Sequence, residues 1–115
     1  VAGYSRAVRV EDAVYVAGTT ATNEQGEIVG LGDAHAQTLQ ALENIRRALE
    51  RAGARLEDVV RTRMYVTDMD NAREVARAHG EVFSSILPVT ALVQVVGLID
   101  PAMLVEIEAD AVITE

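Results

Sequence analysis

Cysteine is absent from the 115 residues, which removes disulfides, thiolate nucleophiles and sulfur-ligated metal together. Lysine is absent as well. All ten basic residues are arginine, so Schiff-base and lysine-nucleophile chemistry are excluded. Aromatics are scarce: Phe83, Tyr4, Tyr15 and Tyr65 are the whole set, and there is no tryptophan. The longest uncharged stretch, Val82 to Ile99, is broken by Pro88 and Gly97 and contains Ser, Thr and Gln. It reads as a helix end followed by a strand, not as a membrane span. No basic-apolar-small leader is visible, and the expected location is the cytoplasm.

What remains is an apolar and acidic chain. Half of its residues are hydrophobic, mostly Val, Ala and Leu, which suits one small globular domain over residues 1–115. A chain of this length buries roughly two thirds of its unfolded surface, so its core is modest. With few large anchors, part of the apolar area is expected in a subunit interface. Ten basic against 18 acidic residues leave a net charge of −8. Such a chain repels a phosphate backbone at long range, which argues against nucleic-acid binding.

There is no internal repeat, low-complexity segment or linker. Ala7-Val8-Arg9-Val10 and Ala13-Val14-Tyr15-Val16-Ala17 are short β-rich runs joined through Glu11-Asp12, which suggests a hairpin. Asn23-Glu24-Gln25-Gly26 is a turn signal, and Glu27-Ile28-Val29 suggests a short third strand. From Asp33 the period changes: Leu39, Leu42, Ile45 and Leu49 recur at three- and four-residue steps. Asp33 is the expected N-cap and Gly53 the expected stop, with Glu43–Arg47 as an i,i+4 pair on the polar face. Val59 to Thr67 alternates, with Val60, Thr62, Met64 and Val66 expected on one face and Arg61, Arg63, Tyr65 and Thr67 on the other. Asp68 or Asp70 then caps a second helix to about Ser85, with Ala72, Val75, Ala76, His79, Val82 and Phe83 inward. Pro88 separates that helix from strands expected at Thr90 to Val96 and Met103 to Ile113.

Strands interleaved with two singly striped helices argue for an α+β domain, one sheet with both helices on one face. The other face must meet water or a second subunit. On the last strand Leu104, Glu106, Glu108, Asp110 and Val112 share one side, with carboxylates ~7 Å apart. A solvated outer face accounts for them. A sharper reading pairs them with Arg61 and Arg63 on a neighbouring strand, at some tenths of a kcal/mol per exposed pair. If an oligomer buries that face, pairing becomes obligatory, because an unpaired buried charge costs several kcal/mol.

Other constellations carry little. His35 and His79 lack metal-ligand spacing, and His79 lies on an inward stripe where a packed histidine is expected rather than a base. Gly30-Leu31-Gly32 lacks the third glycine and the lysine of a phosphate loop. Ser84-Ser85 has no triad context.

Four stretches together resemble the RidA/YjgF family: Gly3-Tyr4-Ser5-Arg6-Ala7-Val8, Val66-Thr67-Asp68-Met69-Asp70, Leu87-Pro88-Val89-Thr90-Ala91-Leu92-Val93-Gln94-Val95 and Leu104-Val105-Glu106-Ile107-Glu108-Ala109. The resemblance runs from Gly3 to Val112. It implies a chorismate-mutase-like α+β fold, a mixed sheet backed by two helices. It further implies a homotrimer whose uncovered sheet faces line the centre and whose ligand clefts lie between subunits. Many members hydrolyse enamines and imines without metal or cofactor. By its motif Glu106 would position or activate water, since a carboxylate in a partly dry cleft can shuttle protons near neutrality. Tyr4 would border the cleft, although the Pro that precedes this Tyr in relatives is absent and Arg6 replaces the usual Gln. Gly18 and Thr19 of Ala17-Gly18-Thr19, where relatives have Ser-Gly-Gln, would contact substrate, with Gly18 permitting close approach to the backbone.

One position departs from the deaminating pattern. Relatives carry Arg two residues after the Pro, to grip a substrate carboxylate in a two-pronged, charge-assisted hydrogen bond; this chain has Thr90. Losing such a contact typically costs about 2–5 kcal/mol, or roughly 30- to 4000-fold in binding. Leu92 makes the pocket apolar where some relatives place Cys. The expected ligand is therefore less anionic or more apolar than an amino-acid-derived imine, unless Arg6, Arg61 or Arg63 supplies the cation from another direction. Three functions follow: an imine or enamine hydrolase with shifted substrate, a non-catalytic ligand-binding or chaperone-like trimer, and an endoribonuclease. The charge of −8 and the lack of a catalytic His pair weigh against the last.

Overall fold

The computed structural model describes residues 2–114. β1 (Ala7–Val10) and β2 (Ala13–Thr19) form the hairpin that the two β-rich runs suggest, turning through Glu11 at a positive φ of 54°. The third strand suggested near Ile28 is only a single bridge, Thr22 to Ile28. In its place Asn44 of the first helix ties down the incoming loop. Its Nδ2 donates to the carbonyls of Thr20 and Thr22 at 3.0 and 2.8 Å.

The first helix, α1 (Ala34–Arg51), starts where Asp33 accepts from the Ala36 amide and ends before Gly53. Gly53 sits at φ +88°, a conformation that side chains resist, while the Arg9 guanidinium donates to the Ala52 carbonyl at 2.9 Å. That arginine satisfies a helix-end carbonyl and places a positive charge at the negative end of the helix dipole. On the polar face Glu43 meets Arg47 at 3.4 Å, as its spacing suggests, but holds Arg46 more closely. The buried stripe carries Leu42, Ile45 and Leu49, and also Gln37, 1% exposed.

β3 (Val59–Val66) follows a 3-10 turn, and α2 (Ala72–Phe83) follows another that Asp68 caps through the Asp70 amide. Two expectations need correction. A register shift between Val59 and Arg61 against the last strand puts Val59 inward and leaves Val60 46% exposed. On α2 the inward stripe is Val75, Ala78, His79 and Phe83, whereas Ala76 is exposed.

β4 (Val89–Gln94) and β5 (Val105–Val112) complete a five-stranded sheet in the order β1-β2-β5-β3-β4. All pairings are antiparallel except β3 with β4, which α2 connects in parallel. The mixed sheet is thus backed by both helices on one face. Val14, Val16, Val66, Val105, Ile107 and Ala109 meet Leu42, Ile45, Leu49, Val75 and Phe83 in the core. At ~1.5–3 kcal/mol per fully buried large side chain, this single layer is the main cohesive term within the chain. Among the described residues no helix is long and apolar enough to cross a membrane.

Candidate functional site

Alternation along β5 sorts its side chains cleanly. Val105, Ile107, Ala109 and Ala111 are buried beneath the helices, so Glu106, Glu108 and Asp110 project from the opposite, open face. Across from them on β3 stand Tyr65, Arg63 and Arg61 in that order. The cross-strand contacts run one step diagonally. Tyr65 donates its hydroxyl to Glu108, and Arg63 approaches Asp110 at 3.4 Å. The hydrogen bond it donates to Glu108, followed by burial, pushes the Tyr65 phenol above its ordinary pKa, so it stays a donor.

That diagonal leaves Glu106 as the one carboxylate of the three with no side-chain hydrogen bond among the described residues. Its carboxylate lies instead against Gly18. Between Val16 and Thr19, β2 advances three residues while β5 advances from Ala109 to Ile107, so the strand bulges at Ala17-Gly18. A Cβ on Gly18 would lie 2.3 Å from Glu106 Oε2 and 2.9 Å from its Cδ. The close approach that Gly18 permits is thus made by Glu106 itself. Arg6 borders the same bulge, its Nη1 donating to the Gly18 carbonyl at 3.3 Å, while its own carbonyl accepts from Ala17 at 2.9 Å. Tyr4 precedes this contact in a segment outside the strands and is 68% exposed.

Thr19, expected to contact substrate beside Gly18, faces the helix side of the sheet. It pairs with Ile107, is 2% exposed under the helices, and donates its hydroxyl to the Ala17 carbonyl at 2.7 Å. Thr19 lines a groove with Arg6, Asn44 and Arg47 on the α1 side of the sheet.

Thr90 and Leu92 also lie on the helix side. In the parallel register Thr90 stands beside Thr62 and Leu92 beside Met64, both of them buried. Val93 stands beside Tyr65 and shares the open face. One chain therefore gathers Glu106 and Gly18 on one face of the sheet and Thr90 and Leu92 on the other. They can meet only if a second copy brings its β4 edge to the first copy's open face.

Two further residues connect to Thr90. Thr62 is fully buried and donates to the Thr90 hydroxyl at 2.7 Å; its own oxygen lies 2.8 Å from His79 Nε2. His79 packs on Phe83 with ring centroids 4.6 Å apart, and burial pushes its pKa down. The inward placement of both was legible from periodicity, but the parallel β3–β4 pairing that links them to Thr90 was not. Among the described residues, no group of three or more His, Asp or Glu could hold a metal ion.

Comparison with known proteins agrees with this architecture. A family model described as Endoribonuclease L-PSP matches residues 1–113. A solved member of the YjgF/YER057c/UK114 family from Mycobacterium tuberculosis is 52% identical, covers 97% of this chain and 88% of its own, and superposes with a TM-score of 0.87. An uncharacterized Streptomyces coelicolor protein is 41% identical over 95% of this chain and 81% of its own length. The 3-aminoacrylate deaminase RutC of Acinetobacter baylyi is 34% identical over 96% of this chain and 86% of its own length. With a family match over nearly every residue and relatives well above 30% identity, the chain belongs to the YjgF/RidA family.

Proposed function

We propose that the protein hydrolyses imines or enamines at clefts between three copies of the chain, with a ligand less anionic than an amino-acid-derived imine. The observation that carries this reading is the pairing of an unpartnered Glu106 carboxylate with the glycine bulge at Gly18, on the face opposite Thr90 and Leu92. The likeness to a 3-aminoacrylate deaminase supports the reaction class. The family resemblance supplies the number of copies.

In the reaction, Glu106 takes a proton from water as its oxygen bonds to the imine carbon. The same proton then passes to nitrogen, giving the carbinolamine. Glu106 next moves the carbinolamine hydroxyl proton to that nitrogen, the C–N bond breaks as the C=O bond forms, and a carbonyl compound and ammonia leave. An enamine first tautomerises to the imine. Tyr4 and the backbone near Gly18 orient the substrate from one copy, and Thr90 and Leu92 contact it from the next. Thr90 supplies no positive charge, so a substrate carboxylate has no counter-ion at that position.

The test is to generate 2-aminoacrylate and an uncharged hydrophobic imine in situ and follow their consumption. Glu106→Ala should lower turnover of the preferred substrate by about 100-fold or more, and Thr90→Arg should raise turnover of 2-aminoacrylate. Consumption no faster than in buffer sinks the enzyme reading. A non-catalytic ligand-binding trimer is the second reading, favoured by the missing cation at Thr90; binding without turnover would establish it. RNA binding that persists at moderate salt would revive the endoribonuclease reading, against the charge of −8.

A further inference from the structure

We propose that Thr62 and His79 are positioning residues that aim the Thr90 hydroxyl, making it a directional contact for an uncharged hydrogen-bonding group such as a carboxamide. The inference rests on Thr90 lying in the ligand cleft and names what that end of the cleft takes.

Three polar groups form an unbroken chain from the core to the surface. His79 is 8% exposed and Thr62 fully buried, whereas Thr90 is exposed on the edge strand. Their contacts are 2.8 Å from His79 Nε2 to Thr62 Oγ1 and 2.7 Å from Thr62 Oγ1 to Thr90 Oγ1. A hydroxyl has one proton to give. When Thr62 donates to Thr90, the proton between His79 and Thr62 must belong to Nε2, and the Thr90 hydroxyl is left free to donate outward. In the reverse direction Thr90 donates to Thr62, Thr62 donates to Nε2, and Thr90 accepts from the ligand. A neutral imidazole serves both directions by its choice of tautomer, and burial favours the neutral form of His79. Adjacent bonds in such a chain also polarise one another.

The outer end of the chain is therefore one oriented group that can donate or accept but carries no charge. It stands two residues from half-buried Leu92 on the same face of β4. A carboxylate placed there would lose hydration and gain a single neutral donor, an unfavourable exchange. A carboxamide loses less and can engage Thr90 in either direction. The geometry thus points to neutral polar ligands, a narrower class than ligands that are merely less anionic.

Pyruvate and pyruvamide are suitable probes because they differ only in that terminal group. The intact protein, with its histidine rings labelled with 15N, is titrated with each. Wild type should bind pyruvamide about 5-fold more tightly than pyruvate, the worth of one oriented hydrogen bond. Saturation with pyruvamide should also shift the His79 Nε2 resonance. Thr62→Val should abolish both the preference and the shift, and Thr62→Ser should restore them, a pattern that a purely structural role would not produce. Tighter binding of pyruvate overturns the proposal. So does an unmoved His79 resonance with ligand bound, or Thr62→Val behaving as wild type. Failure to bind either probe also overturns it, while imine turnover that depends on Glu106 would still stand and is judged separately.

Discussion

Gly18 and Glu106 occupy one space between them, and a methyl group added to the glycine would collide with the end of the glutamate side chain, not with backbone. Gly18→Ala should therefore displace the Glu106 carboxylate at modest cost in stability, about 1 kcal/mol or less, since a flexible side chain can yield. Turnover should fall towards that of Glu106→Ala while the urea midpoint changes little. A large loss of stability with turnover intact would contradict this account. His79 makes a second prediction. Burial holds its folded pKa below the unfolded value of about 6.5, so the unfolded chain protonates first as pH falls. Unfolding then takes up a proton, and stability should decline as pH drops below about 6.5 until the folded pKa is reached. Urea midpoints at pH 7.0 and 5.5 should differ in wild type, and the difference should shrink in His79→Gln.

Gln37 joins three segments that the backbone alone would leave loosely connected. Its Nε2 donates to the carbonyls of Gly30 and Ala102 at 3.1 and 3.0 Å, and its Oε1 accepts from the Leu104 amide at 2.9 Å. The buried amide thereby secures the loop before α1 and the approach to β5, and so the register that presents Glu106. Gln37→Ala should destabilise the chain by about 2–4 kcal/mol, because several buried polar groups lose their partners at once. Denaturant unfolding measures this; a change under 1 kcal/mol would remove Gln37 from that role. The elements differ in how legible they were. α1 was plain because both its period and its caps are local. The start of β3 was misread at Val60 because a bulge is created by the partner strand, and strict alternation cannot register it. Ala76 and Ala78 were exchanged because alanine is compatible with either face of a helix.

At the scale of the molecule, apolar surface remains that no described part of the chain covers. Val96 and Ile99 are almost wholly exposed in the loop after β4, and Val89 and Val93 are about half exposed on the edge strand itself. Monomers rarely leave such groups together on an unpaired edge. Sedimentation should give a trimer, and the pair Val96→Asp with Ile99→Asp should weaken it and make the melting temperature depend on concentration. A wild-type chain that sediments as a monomer at micromolar concentration would remove the shared cleft altogether.

Local pattern was enough for the α+β class, the α1 boundaries, the two faces of β5 and the family, because each depends on neighbours a few residues apart along the chain. Glu106, Gly18, Thr90 and Leu92 are candidates drawn from motifs for the same reason. Their separation onto opposite faces could not, nor could the burial of Thr19 or the chain from His79 to Thr90. Those depend on which strands lie side by side, in which direction and with which bulges, and only the packed sheet decides that.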